Sequence, residues 1–181
     1  MPALKNPVVE ADHIQGSLDA PAVLVEYGDF ECPHCRMAHA VVHRLQHHFG
    51  ERLCFVFRNF PLTRIHPFAE TAAESAEFAA ANGKFWEMHD SLFKHQDQFG
   101  SGLFARLATE LGLDGAELDA AIESSAYTQR VHTDFVGGVR SGVNGTPTFF
   151  LNGERHDGGA EYDLLRDAIE AAIRAAIDGA N

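Results

Sequence analysis

Two cysteines three positions apart are the residues of this sequence with the clearest chemical potential. Cys32 and Cys35 enclose Pro33 and His34, and the tetrapeptide follows an apolar run that begins at Ala22. Thiol–disulfide exchange needs one nucleophilic thiolate and a second thiol near enough to resolve the mixed disulfide. Because residues i and i+3 lie on one side of a helical turn, a helix starting here brings the two sulfurs together. We therefore expect a redox pair, with Cys32 at the helix start and Cys35 one turn inside.

The residues around the pair act on the ionisation of Cys32 in opposite directions. Pro33 suits the first helical position, where a backbone N–H has no partner within the helix. The helix N-terminus and a protonated His34 both stabilise a thiolate, and so lower the pKa of Cys32 from its reference value of about 8.5. Asp29 and Glu31, which we expect to be exposed, oppose ionisation. The direction of the chemistry (oxidation, isomerisation or reduction) therefore stays open.

A C-x-x-C pair is also half of a zinc site, which needs two further ligands. The third cysteine, Cys54, lies in an apolar strand pattern and is interpreted as a small buried hydrophobic residue. His39, His43 and His47 recur at every fourth position and offer a metal-binding face, although a partly solvated helix face is the favoured interpretation. We therefore predict no cofactor and no bound metal.

Length and composition exclude several classes of protein. A chain of 181 residues fits one domain with an inserted subdomain. The net charge of −12 argues against nucleic acid as a partner. No apolar run approaches the roughly 20 residues of a membrane-spanning helix, and the first 16 residues do not resemble a secretory signal. We expect a cytoplasmic protein if Met1 is the natural start, and a periplasmic or extracytoplasmic one if a signal was removed.

The hydrophobic pattern predicts the elements that position the cysteines. A buried strand over 22–30 leads into a helix from Pro33 to Phe49, and a second strand covers 52–60. Asp114, followed by Glu117, resembles a capping box. The other predicted elements are a weak strand around 8–14, a helical block over about 63–141, a strand at 148–151, a turn at Asn152-Gly153, a strand at 154–157 and a helix over 160–177.

Four segments identify a family resemblance: VEYGDFECPHC, FVFRNFPL, GKFWEMHDSLF and GVNGTPTFFLNG. In this order they resemble the DsbA family of thiol–disulfide oxidoreductases in the thioredoxin superfamily, from about His13 to Ala176. The resemblance implies an α/β protein: a thioredoxin fold with a mixed central sheet and an inserted helical subdomain. We place the thioredoxin-like domain at 1–62 and 142–181 and the helical insertion at 63–141. The resemblance also implies that Cys32 is catalytic and Cys35 resolving.

Two further site predictions come from the same resemblance. Thr146-Pro147 matches a family loop whose proline is cis and faces the cysteines, where the Thr146 backbone holds an extended peptide substrate. Glu26 matches a buried acid, and a carboxyl group in apolar surroundings has a raised pKa that suits it to take up the proton of the resolving thiol. The implied partners are protein or peptide thiols and disulfides, together with a recycling redox partner of unknown identity.

Two alternative classes of function stay open. A thioredoxin-fold chaperone or metal-binding module would use the cysteines without turnover. A non-redox enzyme of the same architecture usually lacks the second cysteine, so Cys35 counts against that class. DsbA-type oxidants work in oxidising surroundings, whereas a cytoplasmic copy would be held largely reduced.

Overall fold

The computed structural model describes residues 3–100 and 102–179. The strands of these residues are β1 (His13–Gln15), β2 (Ala22–Gly28), β3 (Leu53–Asn59), β4 (Thr148–Leu151) and β5 (Glu154–His156). Their α-helices are α1 (Pro33–Phe49), α2 (Ala69–Ala81), α3 (Phe85–Lys94), α4 (Leu103–Glu110), α5 (Gly115–Glu123), α6 (Thr128–Arg140) and α7 (Tyr162–Gly179). The order of elements is the one that the sequence predicts.

The five strands form one sheet in the order β1-β3-β2-β4-β5. The pairs β1–β3, β2–β4 and β4–β5 are antiparallel, whereas β2 and β3 are neighbours joined by helix α1, the type of connection that parallel strands need. At the β4–β5 turn, Asn152 and Gly153 have φ values of 50° and 85°, which a tight hairpin turn of this kind requires. The predicted α/β class with a mixed central sheet and the predicted hairpin are therefore confirmed.

The first strand is shorter than the sequence suggests. Residues 8–12 are not a strand, because the Val9 N–H donates to Asp12 Oδ2 at 2.8 Å and the Asp12 N–H donates to the Val9 carbonyl at 2.9 Å. This turn ends where His13 begins to pair with β3. The prediction of a strand around 8–14 was wrong for residues 8–12, since a side-chain acceptor at Asp12 favours a turn over the ladder.

The contacts of the chain form two compact units. The first consists of Met1–Gly28, Met37–Arg58 and Gly137–Asn181, and it contains the strands and helix α7, which packs against β2. Aromatic side chains on alternate positions of the central strands fill its core. Tyr27 and Phe150 are fully buried and meet edge to face, with their ring centroids 5.9 Å apart.

A buried arginine links three segments of this first unit. The Arg58 guanidinium donates to both carboxylate oxygens of Asp12, at 2.8 and 2.9 Å, and to the Tyr27 hydroxyl at 3.0 Å. It also donates to the carbonyls of Asn6 at 2.9 Å and Pro7 at 3.0 Å. One side chain thus ties the segment before β1 to β3 and β2.

The second unit consists of Asp29–Arg36 and Asn59–Val136. Helix α2 packs against α3, α4 and α5 in this unit, and small side chains on its buried face (Ala72, Ala76 and Ala79) allow close approach. Residues 29–36, which include the two neighbouring cysteines, group with this helical unit. The boundaries proposed from the sequence, at 62/63 and 141/142, stay a prediction.

Helix α5 begins with a cap that gives a direct stability test. Asp114 Oδ1 accepts from the backbone N–H groups of Ala116 at 2.8 Å and Glu117 at 3.3 Å. We expect Asp114→Ala to lower the free energy of unfolding by about 1 kcal/mol, because these N–H groups then lose their acceptor. Urea denaturation measures the change. Asp119→Ala, on the exposed side of the same helix, is the control, and equal losses in the two variants would contradict the cap.

Candidate active site

The tetrapeptide occupies the start of helix α1, as the sequence predicts. Pro33 is the first helical residue, and the carbonyl of Cys32 accepts from the Arg36 N–H at 3.2 Å. Cys32 is 4% exposed and Cys35 is 0% exposed, whereas Pro33 and His34 are exposed. The sulfur of Cys32 therefore lies at the N-terminal end of the helix, where the backbone N–H groups favour a thiolate. Cys35 is enclosed one turn later.

The carboxyl group of Asp29 is buried, which corrects the prediction that it is exposed. Its exposed fraction is 1%, and it accepts from the backbone N–H groups of Glu31 and Leu62, each at 2.8 Å. The ring nitrogen Nδ1 of His66 lies 2.8 Å from Asp29 Oδ2. Glu31, also expected to be exposed, is half-buried and accepts from the Phe68 N–H at 2.6 Å. The two carboxylates accept from backbone N–H groups of the 62–68 segment that would otherwise lack acceptors, which favours a buried Asp29 and a half-buried Glu31.

Asp29 also reaches Cys35 through its backbone. Its N–H donates to Cys35 Sγ at 3.4 Å. An N–H aimed at this sulfur favours a thiolate at Cys35, whereas a nearby carboxylate opposes it. Sequence analysis did not select His66. No spacing rule could have found it, because it lies 37 positions from Asp29 along the chain.

Gln96 is a second residue that sequence analysis missed. Its side-chain amide donates to the carbonyl of Phe30 at 2.7 Å and to the carbonyl of Cys32 at 3.0 Å. These two bonds hold the Phe30–Glu31 and Cys32–Pro33 peptide groups, and so fix the direction in which the chain enters α1. Gln96 opens a short 3-10 turn, Gln96–Gln98, that follows α3.

Aromatic rings surround Phe30, the residue two positions before Cys32. Its ring centroid lies 5.1 Å from that of Phe93 and 5.6 Å from that of His89. Phe85 and Trp86 join the same cluster, with their own centroids 5.0 Å apart. Both rings also lie near that of His89, with centroid distances of 5.9 and 5.1 Å, so the cluster provides apolar packing for the loop before α1.

The remaining predicted site residues belong to the first unit. Glu26 is buried in β2, where it pairs in register with Phe149 of β4. Thr146 and Pro147 directly precede β4, both half-buried, and the peptide bond between them is cis. The roles given to them by the family resemblance, proton uptake by Glu26 and substrate binding by Thr146 and Pro147, stay predictions.

Cys54 has the environment of a structural cysteine. It is fully buried in β3, and this burial raises the pKa of its thiol. A thiol with a raised pKa carries little thiolate at neutral pH and is therefore a poor nucleophile. The interpretation of Cys54 as a small buried hydrophobic residue is confirmed.

Comparison with known proteins links this geometry to one family. The sequence model of the family described as Thioredoxin matches residues 8–171. A thioredoxin-like oxidoreductase from Silicibacter pomeroyi is 27% identical with a TM-score of 0.75, covering 92% of this chain and 94% of that one. Oxidised BdbD from Bacillus subtilis superimposes with a TM-score of 0.84 at 23% identity, covering 93% and 96% of the two chains. The fold of these structures is the thioredoxin fold that the sequence predicts.

Similar curated proteins are much longer than this chain. The Na(+)/H(+) antiporter NhaA 1 of Mycobacterium sp. (strain KMS) is 44% identical over 164 residues, which are 90% of this chain and 27% of the antiporter. NhaA of Herminiimonas arsenicoxydans is 38% identical over 176 residues, 96% of this chain and 28% of that protein. The chain thus spans about a quarter of the length of these relatives. Within residues 3–100 and 102–179, none of the helices combines the length and apolar character needed to cross a membrane.

Proposed function

This chain belongs to the thioredoxin family, and on that premise we propose that it is a thiol–disulfide oxidoreductase acting through Cys32 and Cys35. One observation carries the proposal: the two cysteines occupy the first turn of α1, with Cys32 at the helix N-terminus and Cys35 buried one turn later. This arrangement supplies both a stabilised thiolate and a resolving thiol.

The reaction follows from the positions of the two sulfurs. The Cys32 thiolate attacks one sulfur of a substrate disulfide, so that a Cys32–substrate bond forms while the substrate S–S bond breaks and releases a thiolate. The Cys35 thiolate then attacks Cys32 Sγ, forms the Cys32–Cys35 disulfide and releases the second substrate thiol. Two electrons have passed to the substrate, and the reverse sequence oxidises a substrate dithiol. The Asp29 N–H stabilises the Cys35 thiolate in the second step.

The proposed substrates are proteins or peptides with accessible thiols or disulfides, and a separate redox partner returns the centre to its starting state. Thr146 and Pro147 are proposed to hold the substrate backbone, and Glu26 is proposed to accept the proton of Cys35. Two facts support these roles: Glu26 is buried, and the Thr146–Pro147 bond directly precedes a sheet strand.

The direction of exchange depends on the compartment and on the stability of the Cys32 thiolate. Lowering the pKa of Cys32 stabilises the reduced form and makes the disulfide a stronger oxidant. We propose oxidation if the protein acts in a periplasmic or extracytoplasmic compartment, and reduction or isomerisation if it acts in the cytoplasm.

Equilibration with a glutathione redox buffer tests the function directly. We expect Cys32 and Cys35 to titrate as a single two-electron couple, because their sulfurs form one intramolecular disulfide. A reduction potential of about −120 mV would identify an oxidant and one of about −270 mV a reductant. Mass spectrometry after alkylation measures the reduced fraction at each ratio.

Cys54→Ala is the matched control for this titration, and it should leave the midpoint unchanged because Cys54 is buried in β3. Failure of Cys32 and Cys35 to form a disulfide at any ratio would contradict the proposed function. Purification of the protein with one equivalent of zinc on its cysteines would instead support a metal-binding module, an alternative that neither the fold nor the compared structures favour.

A further inference from the structure

We propose that His39 and His43 on helix α1 form a binding site for a divalent transition-metal ion of the Zn²⁺ and Ni²⁺ type. The site is separate from the cysteine pair, and the proposal does not depend on the redox function. The sequence offers a row of histidines at every fourth position and favours a solvated face for them. The positions of the ring nitrogens favour a metal site at one pair of this row.

The two rings direct the same atom toward one point. His39 Nε2 and His43 Nε2 lie 3.0 Å apart, and the rings are nearly perpendicular, at 87°, with centroids separated by 4.4 Å. Zinc binds imidazole nitrogen at about 2.0–2.1 Å. If the N–Zn–N angle lies between a right angle and the tetrahedral angle, the two nitrogens are about 2.8–3.4 Å from each other. The observed separation falls within this range. An ion between the two nitrogens therefore requires little movement of either side chain.

The helix supplies the rigidity that such a pair needs. Residues i and i+4 lie above one another on one helix face, the same spacing that places two zinc-binding histidines in helical metalloprotease motifs. His39 and His43 lie well inside α1, which begins at Pro33 and ends at Phe49. His43 is exposed and His39 is half-buried, so an ion reaches the pair from solvent.

The chemistry of the ligands selects the class of ion. Neutral imidazole nitrogen suits Zn²⁺, Ni²⁺ and Cu²⁺, whereas Mg²⁺ and Ca²⁺ prefer oxygen ligands. In the metal-free pair, one Nε2–H donates to the other Nε2. A metal ion binds the lone pair of each Nε2 atom, so the ring that donates must carry its proton on Nδ1 instead. If both rings are neutral, this change of tautomer releases no proton to solvent.

Isothermal titration calorimetry with NiCl₂ and ZnCl₂ tests the site. The full chain carries Cys32→Ser and Cys35→Ser, because thiolates at the motif would compete for zinc. We expect one ion to bind per chain and MgCl₂ to give no heat of binding. His43→Ala should weaken the binding of Ni²⁺ at least tenfold, because an imidazole ligand is lost.

His47→Ala is the matched control, since His47 is an exposed histidine one turn further along the same helix. It should change the affinity for Ni²⁺ less than twofold. Equal losses in His43→Ala and His47→Ala, or unchanged binding in His43→Ala, would overturn the proposal. NMR of the ring C–H groups during a Zn²⁺ titration gives a second readout without the histidine substitutions. The signals of His39 and His43 should shift together, and shifts confined to other histidines would also overturn it.

Discussion

Reduction of insulin disulfides by this chain should fall by about three orders of magnitude or more when Cys32 is replaced by Ser, since no nucleophile then starts the exchange. A serine hydroxyl stays protonated at neutral pH, and the N–H groups at the start of α1 cannot ionise it. The turbidity of precipitating insulin chains measures the rate, with dithiothreitol as the reductant that regenerates the centre. The expected residual rate is that of dithiothreitol alone.

Cys35→Ser should produce a different failure. Cys32 can still attack, but without Cys35 the mixed disulfide has no internal thiol to resolve it. Covalent complexes with substrate should therefore accumulate, visible on non-reducing gels and lost on reduction. Cys54→Ala should keep the wild-type rate. Unchanged turnover in Cys32→Ser, or trapped complexes in Cys32→Ser in place of Cys35→Ser, would contradict the assigned roles.

Truncation of Arg58 should have the largest effect on stability, with Arg58→Ala lowering the free energy of unfolding by about 3–5 kcal/mol. The side chains of Arg58 and Asp12 are 5% and 6% exposed, so neither charge is well solvated. Burial by itself lowers the pKa of the guanidinium. The hydrogen bonds and charges of Asp12 and Tyr27 raise this pKa by a larger amount, so the net pKa is raised. Arg58 therefore stays charged, and its removal leaves the Asp12 carboxylate buried without its counter-ion.

Chemical denaturation of a double-mutant cycle measures this pair. The variant with both Arg58→Ala and Asp12→Ala should be less destabilised than the sum of the two single variants, because the second substitution removes the uncompensated charge. Arg58→Lys should lie between wild type and Arg58→Ala, since an ammonium group cannot reproduce the bidentate contact. A loss below 1 kcal/mol in Arg58→Ala, or strict additivity in the cycle, would contradict a coupled buried pair.

Local signals explain why much of this fold could be predicted from the sequence. Helix α1 begins at Pro33 and ends before Gly50, whose φ of 54° suits glycine, and both residues are visible as helix boundaries. The cysteine pair is a local motif of the same kind. By contrast, the sequence pattern extends the first strand too far toward the N-terminus. The limits of this strand depend on pairing with β3 and on the turn at Asp12, which no local pattern contains.

The parts of the site that escaped prediction are those built from distant residues. The backbone N–H of Leu62, 33 positions from Asp29, donates to the Asp29 carboxylate. The side chain of Gln96 donates to the Cys32 carbonyl from 64 positions away. In the sequence, the polar residues Asp29 and Glu31 just before the C-x-x-C pair are typical of a solvent-exposed loop. Only the folded chain supplies the backbone donors and the imidazole that make burial of its carboxylate favourable.

The partners of the loop before α1 limit how this protein can be divided or recombined. Leu62, His66, Phe68 and Gln96 bond to residues 29–32, so the tetrapeptide is not a portable motif. Grafting the four residues onto another scaffold would remove these hydrogen bonds to the loop. Deleting the helical segment from this chain would remove them as well. Protein engineering must therefore transfer residues 29–35 and the 62–96 segment together.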